Sequence, residues 1–478
     1  MKKILYVGSE CMPFAAAGGL GDVMGSLPEA VKEEMGPNCD VRVAVPLYGC
    51  VDKFWREQMT FVTSFTVRLG WRNQYCGILS IEKNGVIYYF IDNEYYFKRD
   101  GIYGHYDDGE RFAFFNMAVM QMMGEVDFFP HILHANDWQS ALSVVYHSLL
   151  YKEIPGYDNI KTVFTIHNVE YQGKYCMETL NELFSIPWKN ASVMEYDGMM
   201  NLMKAAVQCA DVVSTVSPRY AEEIMTPEYG CGLDGILRNN AHKVIGILNG
   251  IDCDFYDPHT DENIEKKYMW RSISGKKIDK TALQKELSLP ERDVAVFAVV
   301  SRLVSHKGID LVRAIVHMML FQNDVQLIVL GTGDREYEDF FRWLEGAYPD
   351  KVRALITYDR SLSRRVYAAS DFFLMPSKSE PCGIAQMIAS RYGAVPITRE
   401  TGGLYDSIKN YSKEKGVSQG NGLTFKEYSP KELYKKITEA VSLYADKPAV
   451  RLLQQRVMKI DFSWARSAEK YADLYSEM

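Results

Sequence analysis

Several things are missing from this chain, and each absence excludes something. No apolar run reaches the roughly 18 residues that a membrane-spanning helix needs. The opening "MKKILYVGSECM" has an apolar stretch of only about five residues before Gly8, Ser9 and Glu10, which reads as a buried strand and not a secretory signal. Positive charge is not in excess. Lys and Arg number 54 against 62 Asp and Glu, a net charge of −8, whereas a nucleic-acid-binding chain shows a basic patch or stripe. The nine cysteines form no Cys-x-x-Cys pair and no zinc-type spacing, so they read as reduced thiols in a cytoplasmic protein with no metal site. No low-complexity segment appears. Neither nucleic acid nor membrane is expected as a partner, although a local cluster of cations can still serve an anionic substrate.

What is present is a long alternation. The 478 residues suffice for two or three domains with sizeable cores. Short β-branched runs, "KILYVGS", "DVRVAVPLY", "ILHAND", "TVFTIHN", "ADVVSTVSP" and "KVIGILNGID", are separated by amphipathic stretches such as "ALSVVYHSLLYK". "VTSFTVRLG" and "VIYYFI" read as antiparallel additions. This pattern implies βαβ units and a mostly parallel sheet. It restarts at "DVAVFAVVSRL" and continues through "VQLIVLGTGD", "RALITYD", "DFFLMPS" and "AVPITRE". Two Rossmann-like α/β domains are therefore expected, 1–248 and 249–459, with a helix in 460–478. The polar stretch 254–290 reads as a linker. A site is expected in the cleft between the two sheets, beyond the carboxyl ends of the strands.

Candidate site residues follow from the strand ends. "PFAAAGGLGDV" places Gly18 and Gly19 between a strand and a helix, where backbone N–H groups can face an anion. Met24 stands where a dinucleotide fingerprint needs its third glycine, and a tight turn with no ligand is the plain alternative. "SRLVSHKG" puts Arg302 and Lys307 five residues apart after a strand, able to meet a pyrophosphate or to lie in solvent. Glu380 in "SEPCG" can orient sugar hydroxyls or a developing positive charge, or cap a helix. No base accompanies Cys382, so it is not read as a nucleophile. His167 and Asp137 lie on polar strand ends, with helix capping from Trp138 onward as the alternative for Asp137. His134 reads as a packing histidine. The tyrosines of "NEYYFKRDGIYGHYDDGERFAFF" read as packing ahead of a glucan groove, and the many methionines as core filling.

These pieces match a family. "GGLGDV", "HANDWQ", "TIHNVEYQG", "STVSPRYAEEI", "GLDGIL", "GILNGID", "SRLVSHKG", "SEPCG", "ETGGLYDSI" and "DFSW" occur in order along nearly the whole chain. The sequence resembles bacterial glycogen synthases and starch synthases, glycosyltransferase family 5. The resemblance implies a GT-B fold: two Rossmann-like domains facing across a deep cleft, the C-terminal helix crossing back to the first. It implies retaining transfer of glucose from a nucleotide-glucose, usually ADP-glucose, to an α-1,4-glucan, with no metal or other cofactor. Arg302 and Lys307 would then neutralise the pyrophosphate. Glu380 and the backbone at Cys382 and Gly383 would hold the glucose, and His167 would contact it. Asp22 and Asn249 would line the cleft, and Tyr358 would stack on the base.

Three positions depart from the family pattern. Aligning the glycines sets Ala16 where the family has lysine, and one methyl cannot reach a phosphate. Ala385 replaces a common threonine, and Arg360 replaces a common acidic residue. The expectation is an active enzyme with weakened or altered donor recognition, Arg360 being one candidate for compensation. The alternative is a non-catalytic or regulatory glucan-binding relative.

Overall fold

The apolar opening of the chain forms β1 (Lys2–Val7), with Ile4 to Val7 fully buried. In the computed structural model, residues 1–414 and 417–478 are described. Strands β2 (Cys39–Pro46), β3 (Thr60–Leu69), β4 (Arg72–Lys83), β5 (Val86–Asp92), β6 (Ile132–Asn136), β7 (Lys161–Ile166), β8 (Val212–Thr215) and β9 (Val244–Gly246) join β1 in one sheet. Its order is β9-β8-β7-β6-β1-β2-β5-β4-β3. Seven strands run parallel, as their continuous apolar runs predict. The antiparallel addition is β3 and β4. "VIYYFI" differs from its expectation in part: β5 pairs antiparallel with β4 but parallel with β2.

The chain divides into two units, Met1–Asn249 with Trp464–Met478, and Gly250–Ser463. In the first, helix α1 (Gly19–Met35) buries Leu20, Val23, Met24, Leu27 and Val31 at helical spacing. The C-terminal helix, Trp464–Glu477, packs along α1. It buries Trp464, Ala468, Tyr471 and Tyr475 at i, i+4, i+7 and i+11. Each buried large apolar side chain is worth about 1.5–3 kcal/mol. Helix α2 (Asp108–Glu125) buries Phe112, Phe114 and Phe115, and Tyr96 and Phe97 are buried with them. Most of the aromatic-rich stretch is therefore packing, though Tyr95 and Tyr106 are exposed.

The second unit has a six-stranded, wholly parallel sheet. Its strands are β10 (Ala295–Val300), β11 (Val325–Leu330), β12 (Val352–Leu355), β13 (Phe372–Met375), β14 (Val395–Arg399) and β15 (Leu423–Phe425), ordered β12-β11-β10-β13-β14-β15. The polar segment 254–290 is not a linker. It carries α3 (Gly275–Glu286), whose Lys276 and Lys280 are buried. Lys276 Nζ donates to the carbonyls of Tyr367, Ala368 and Tyr392 at 2.8–3.1 Å. Lys280 pairs with Asp371 at 2.7 Å. Buried lysines survive where every donor finds an acceptor, and composition alone hides that. Further helices of this unit are α4 (Ile309–Gln322), α5 (Arg360–Ala369), α6 (Ala385–Arg391) and α7 (Gly402–Ser407).

Candidate active site

At the end of β1 the glycine turn has an unexpected occupant. Glu10 is buried, and its Oε2 accepts from the backbone N–H groups of Ala17 at 2.7 Å and Gly18 at 2.8 Å. Its Oε1 accepts from the Tyr103 hydroxyl at 2.6 Å, and Ser9 Oγ lies 2.7 Å from that hydroxyl. Two N–H groups expected to face a ligand anion therefore face an internal carboxylate. Gly18 and Gly19 remain exposed, and a Cβ at either would meet nothing within 4 Å. Asp22 lies in the first turn of α1, where a carboxylate favours the helix dipole.

The ends of β6 and β7 form a second cluster. Asp137, at φ 59°, turns its Oδ1 to the N–H groups of His167 at 2.8 Å and Asn168 at 3.5 Å. It does not cap a helix at Trp138, because the next α-helical segment begins only at Ala141. Burial pushes the Asp137 carboxyl up to about 7, against the two N–H groups, with Glu10 adding to the rise. His167 lies 2.9 Å from Asn136 Oδ1 through Nε2. The Asn136 amide nitrogen donates to Val7 and His134 carbonyls, so its oxygen accepts, Nε2 carries the proton and Nδ1 is left as an acceptor. Burial lowers His167 to about 3, which keeps it neutral. His134 is a packing residue, fully buried between Tyr475 and Thr165 at 2.6 and 2.5 Å. Asn249, the last residue of this unit's first segment, is buried, and its Oδ1 has no hydrogen-bond partner in the described protein.

In the second unit Lys307 and Glu380 meet directly. Lys307 Nζ lies 2.8 and 2.7 Å from the two Glu380 oxygens, and Ser377 Oγ donates to Oε2 at 3.0 Å. Backbone geometry enforces this meeting across 73 residues. Gly308 has φ 76°, and a Cβ there would lie 2.2 Å from the Pro376 carbonyl. The Lys378 N–H donates to His306 O at 2.9 Å, tying the loop after β10 to the loop after β13. Behind Glu380, Gly403 donates to the carbonyls of Glu380 and Pro381, and a Cβ at Gly402 would sit 2.0 Å from Glu380 O. The "TGGLYD" motif thus serves as the floor beneath "SEPCG". Gln386 clamps the same loop by donating to Cys382, Gly383 and Ser407. Cys382 is buried, with Gly383 beside it at φ 67°.

Arg302 is exposed next to this cluster in sequence. Tyr358 is 85% exposed. The neighbouring Asp359 caps α5 by accepting from Ser361 and Leu362. Arg360 lies over the Phe255 ring, 5.0 Å from its centroid, and reaches Tyr256 Oη at 3.4 Å. Sequence reasoning missed Glu10, Tyr103, Asn136, Ser377 and Gln386. Glu10 had one signal, an acidic residue directly behind an apolar strand.

The starch synthase catalytic domain model matches residues 3–239, and the glycosyl transferases group 1 model matches 279–452. Glycogen synthase of Clostridium perfringens is 47% identical over 480 residues, covering 100% of this chain and 98% of that protein. Glycogen synthase of Ligilactobacillus salivarius is 46% identical, covering 100% of both. The catalytic domain of starch synthase IV from Arabidopsis thaliana, bound to ADP and acarbose, superposes with a TM-score of 0.90 at 31% identity, covering 100% of this chain and 99% of that one. Sucrose-phosphate synthase from Thermosynechococcus elongatus, at 17% identity, 100% and 99% coverage and a TM-score of 0.62, shares the fold. The two parallel-sheet units are those of the GT-B architecture, and the chain belongs to the glycogen and starch synthase family.

Proposed function

We propose that this protein is a retaining glucosyltransferase that elongates an α-1,4-glucan from a nucleotide-glucose, with ADP-glucose preferred over UDP-glucose. The observation that carries this reading is the Lys307–Glu380–Ser377 cluster, held by backbone contacts at the end of a parallel sheet. It occurs in a chain similar end to end to glycogen synthases, and to a starch synthase domain whose structure holds ADP and acarbose.

In the proposed reaction the bond between glucose C1 and the phosphate oxygen breaks. A bond from C1 to the acceptor hydroxyl forms on the same face, and the hydroxyl proton passes to the departing diphosphate. Arg302 and Lys307 are assigned to the negative charge that grows on the leaving group. No metal or cofactor is assigned to that task. Glu380, already turned toward Lys307, is assigned to the glucose hydroxyls, with the backbone at Cys382 and Gly383. Neutral His167 is assigned a sugar hydroxyl, accepted on Nδ1. Gly18 and Gly19 are assigned to the donor, Asp22 and Asn249 to the cleft near donor and acceptor, and Asp137 acts through the His167 backbone. Tyr358 offers a free ring face to the base.

The reading of a glucan-binding relative without activity rests on Ala16 alone, and no other observation favours it. We place the reaction in the cytoplasm: none of the nine cysteines forms a disulfide. No helix among the described residues is long and apolar enough to cross a membrane.

The test measures nucleoside diphosphate release from ADP-glucose and UDP-glucose, with and without glycogen, in this chain and in Ala16→Lys. Glycogen-dependent turnover with the lower KM for ADP-glucose is expected. Restoring lysine adds a charge-assisted contact worth about 1.5–3 kcal/mol, so a gain of about tenfold or more in kcat/KM is expected. Silence of both chains with both donors would overturn the reading.

A further inference from the structure

The glycine turn after β1 is held by an anion that belongs to the protein. We propose that Glu10 is a positioning residue for the donor, standing at the N–H groups of Ala17 and Gly18 in place of a ligand anion so that Gly18 and Gly19 stay open. The proposal rests on the transferase reading above for its link to the donor.

The geometry is specific. A buried carboxylate normally pairs with a cation, and among the described residues none pairs with Glu10. Its lone pairs are met by neutral donors instead: two backbone N–H groups and one phenol. Tyr103 comes from the loop just before α2, about ninety residues on, and its hydroxyl is shared with Ser9. Three separate stretches of chain, 9–10, 17–18 and 103, thus converge on one carboxylate. The turn has no side-chain cap of its own, since Gly18 occupies the N-cap position of α1. Glu10 does that work from the preceding loop. With Ala16 in place of a lysine, no side chain from Pro13 to Gly19 carries a polar group, so backbone shape is what the turn contributes.

Two consequences follow. A ligand phosphate cannot share the Ala17 and Gly18 N–H groups while Glu10 holds them. The donor therefore meets this turn at the exposed face of Gly18 and Gly19. And removing the carboxylate should loosen the turn without touching the acceptor.

The experiment compares Glu10→Ala, Glu10→Gln and Tyr103→Phe in the full chain. Donor and glycogen KM, kcat, and amide exchange at Ala17 and Gly18 are measured. Glu10→Ala is expected to raise the ADP-glucose KM by about tenfold or more. Its glycogen KM should stay within about twofold, and exchange at both amides should accelerate. Glu10→Gln should restore most of the donor affinity and the protection, because its carboxamide oxygen accepts the same N–H groups. Should Glu10→Ala fail to fold, Tyr103→Phe is expected to raise donor KM several-fold by releasing one of the three donors. A folded Glu10→Ala with parental donor KM, a Glu10→Gln as damaged as Glu10→Ala, or a Tyr103→Phe with unchanged donor KM overturns the proposal. Absence of turnover in the parent would sink the transferase reading instead. Amide exchange still tests Glu10 in that case: unchanged protection in Glu10→Ala overturns it.

Discussion

Lys307 and Glu380 follow different strands of the second sheet and meet as an ion pair at 2.7 Å. They lie 73 residues apart, and the contact is made by loop backbone that composition does not encode. The pairing predicts a coupled response. The side chains are 19% and 7% exposed, so Lys307→Ala strands a nearly buried carboxylate. A loss of about 2–3 kcal/mol in urea unfolding is expected, below the cost of breaking a fully buried pair. Adding Glu380→Gln should recover most of that stability while leaving kcat/KM down by about a hundredfold or more. Additive stability losses would contradict the pairing. Asp137 gives a second, pH-dependent prediction. Its folded pKa is raised to about 7 by burial. Between roughly pH 4 and 7 the unfolded carboxyl has released its proton while the folded one has kept it. This group's contribution is therefore present below pH 4 and is lost as pH rises toward 7. Asp137→Asn, which also tolerates positive φ, should remove about 1–2 kcal/mol of that slope in denaturation curves taken at pH 4.5 and 7.5.

Elements read more easily than contacts. The strands were visible because strands buried on both faces demand unbroken apolar, β-branched runs, as in "KILYV" and "AVFAVV". β4 escaped notice because its first third, Arg72 to Tyr75, alternates half-buried and exposed positions. Helix α3 escaped because Lys276 and Lys280 look solvated in sequence, whereas the fold gives each a set of acceptors. The loops between elements carry the site, and Gly308 is the tightest of their joints. At φ 76° and with the Pro376 carbonyl 2.2 Å from any added Cβ, Gly308→Ala must push the two loops apart. It should cost well over about 1 kcal/mol of stability. It should also raise donor KM, because it displaces Lys307 from Glu380. Thermal melts and donor titrations on this variant check both, and an unperturbed donor KM would separate the loop joint from binding.

At the scale of the whole molecule, the second unit is an insertion in the first. Residues 250–463 lie between Asn249 and Trp464, which both belong to the first unit. The two ends of the insertion are adjacent: the Ile251 N–H donates to Phe462 O at 2.8 Å, and Ile251 bridges Ser463. Adjacent termini and a private core around Phe297, Val312, Leu327 and Phe372 are what an independently folding domain needs. A fragment of 250–463 is therefore expected to melt cooperatively on its own. Residues 1–249 are not expected to do so. Without the C-terminal helix, the buried face of α1 is exposed. Tyr6 and His134 also lose the Tyr475 hydroxyl that joins them at 2.8 and 2.6 Å. Burial of Trp464, Tyr471 and Tyr475 at about 1.5–3 kcal/mol each is comparable with the roughly 5–15 kcal/mol that holds a domain together. Calorimetry on the two fragments tests this asymmetry. A sharp transition from 250–463 and a broad or absent one from 1–249 are expected, with a 464–478 peptide restoring cooperativity to 1–249. If 1–249 melts as sharply alone as with the peptide, the C-terminal helix is an ornament on the first unit and not part of its core.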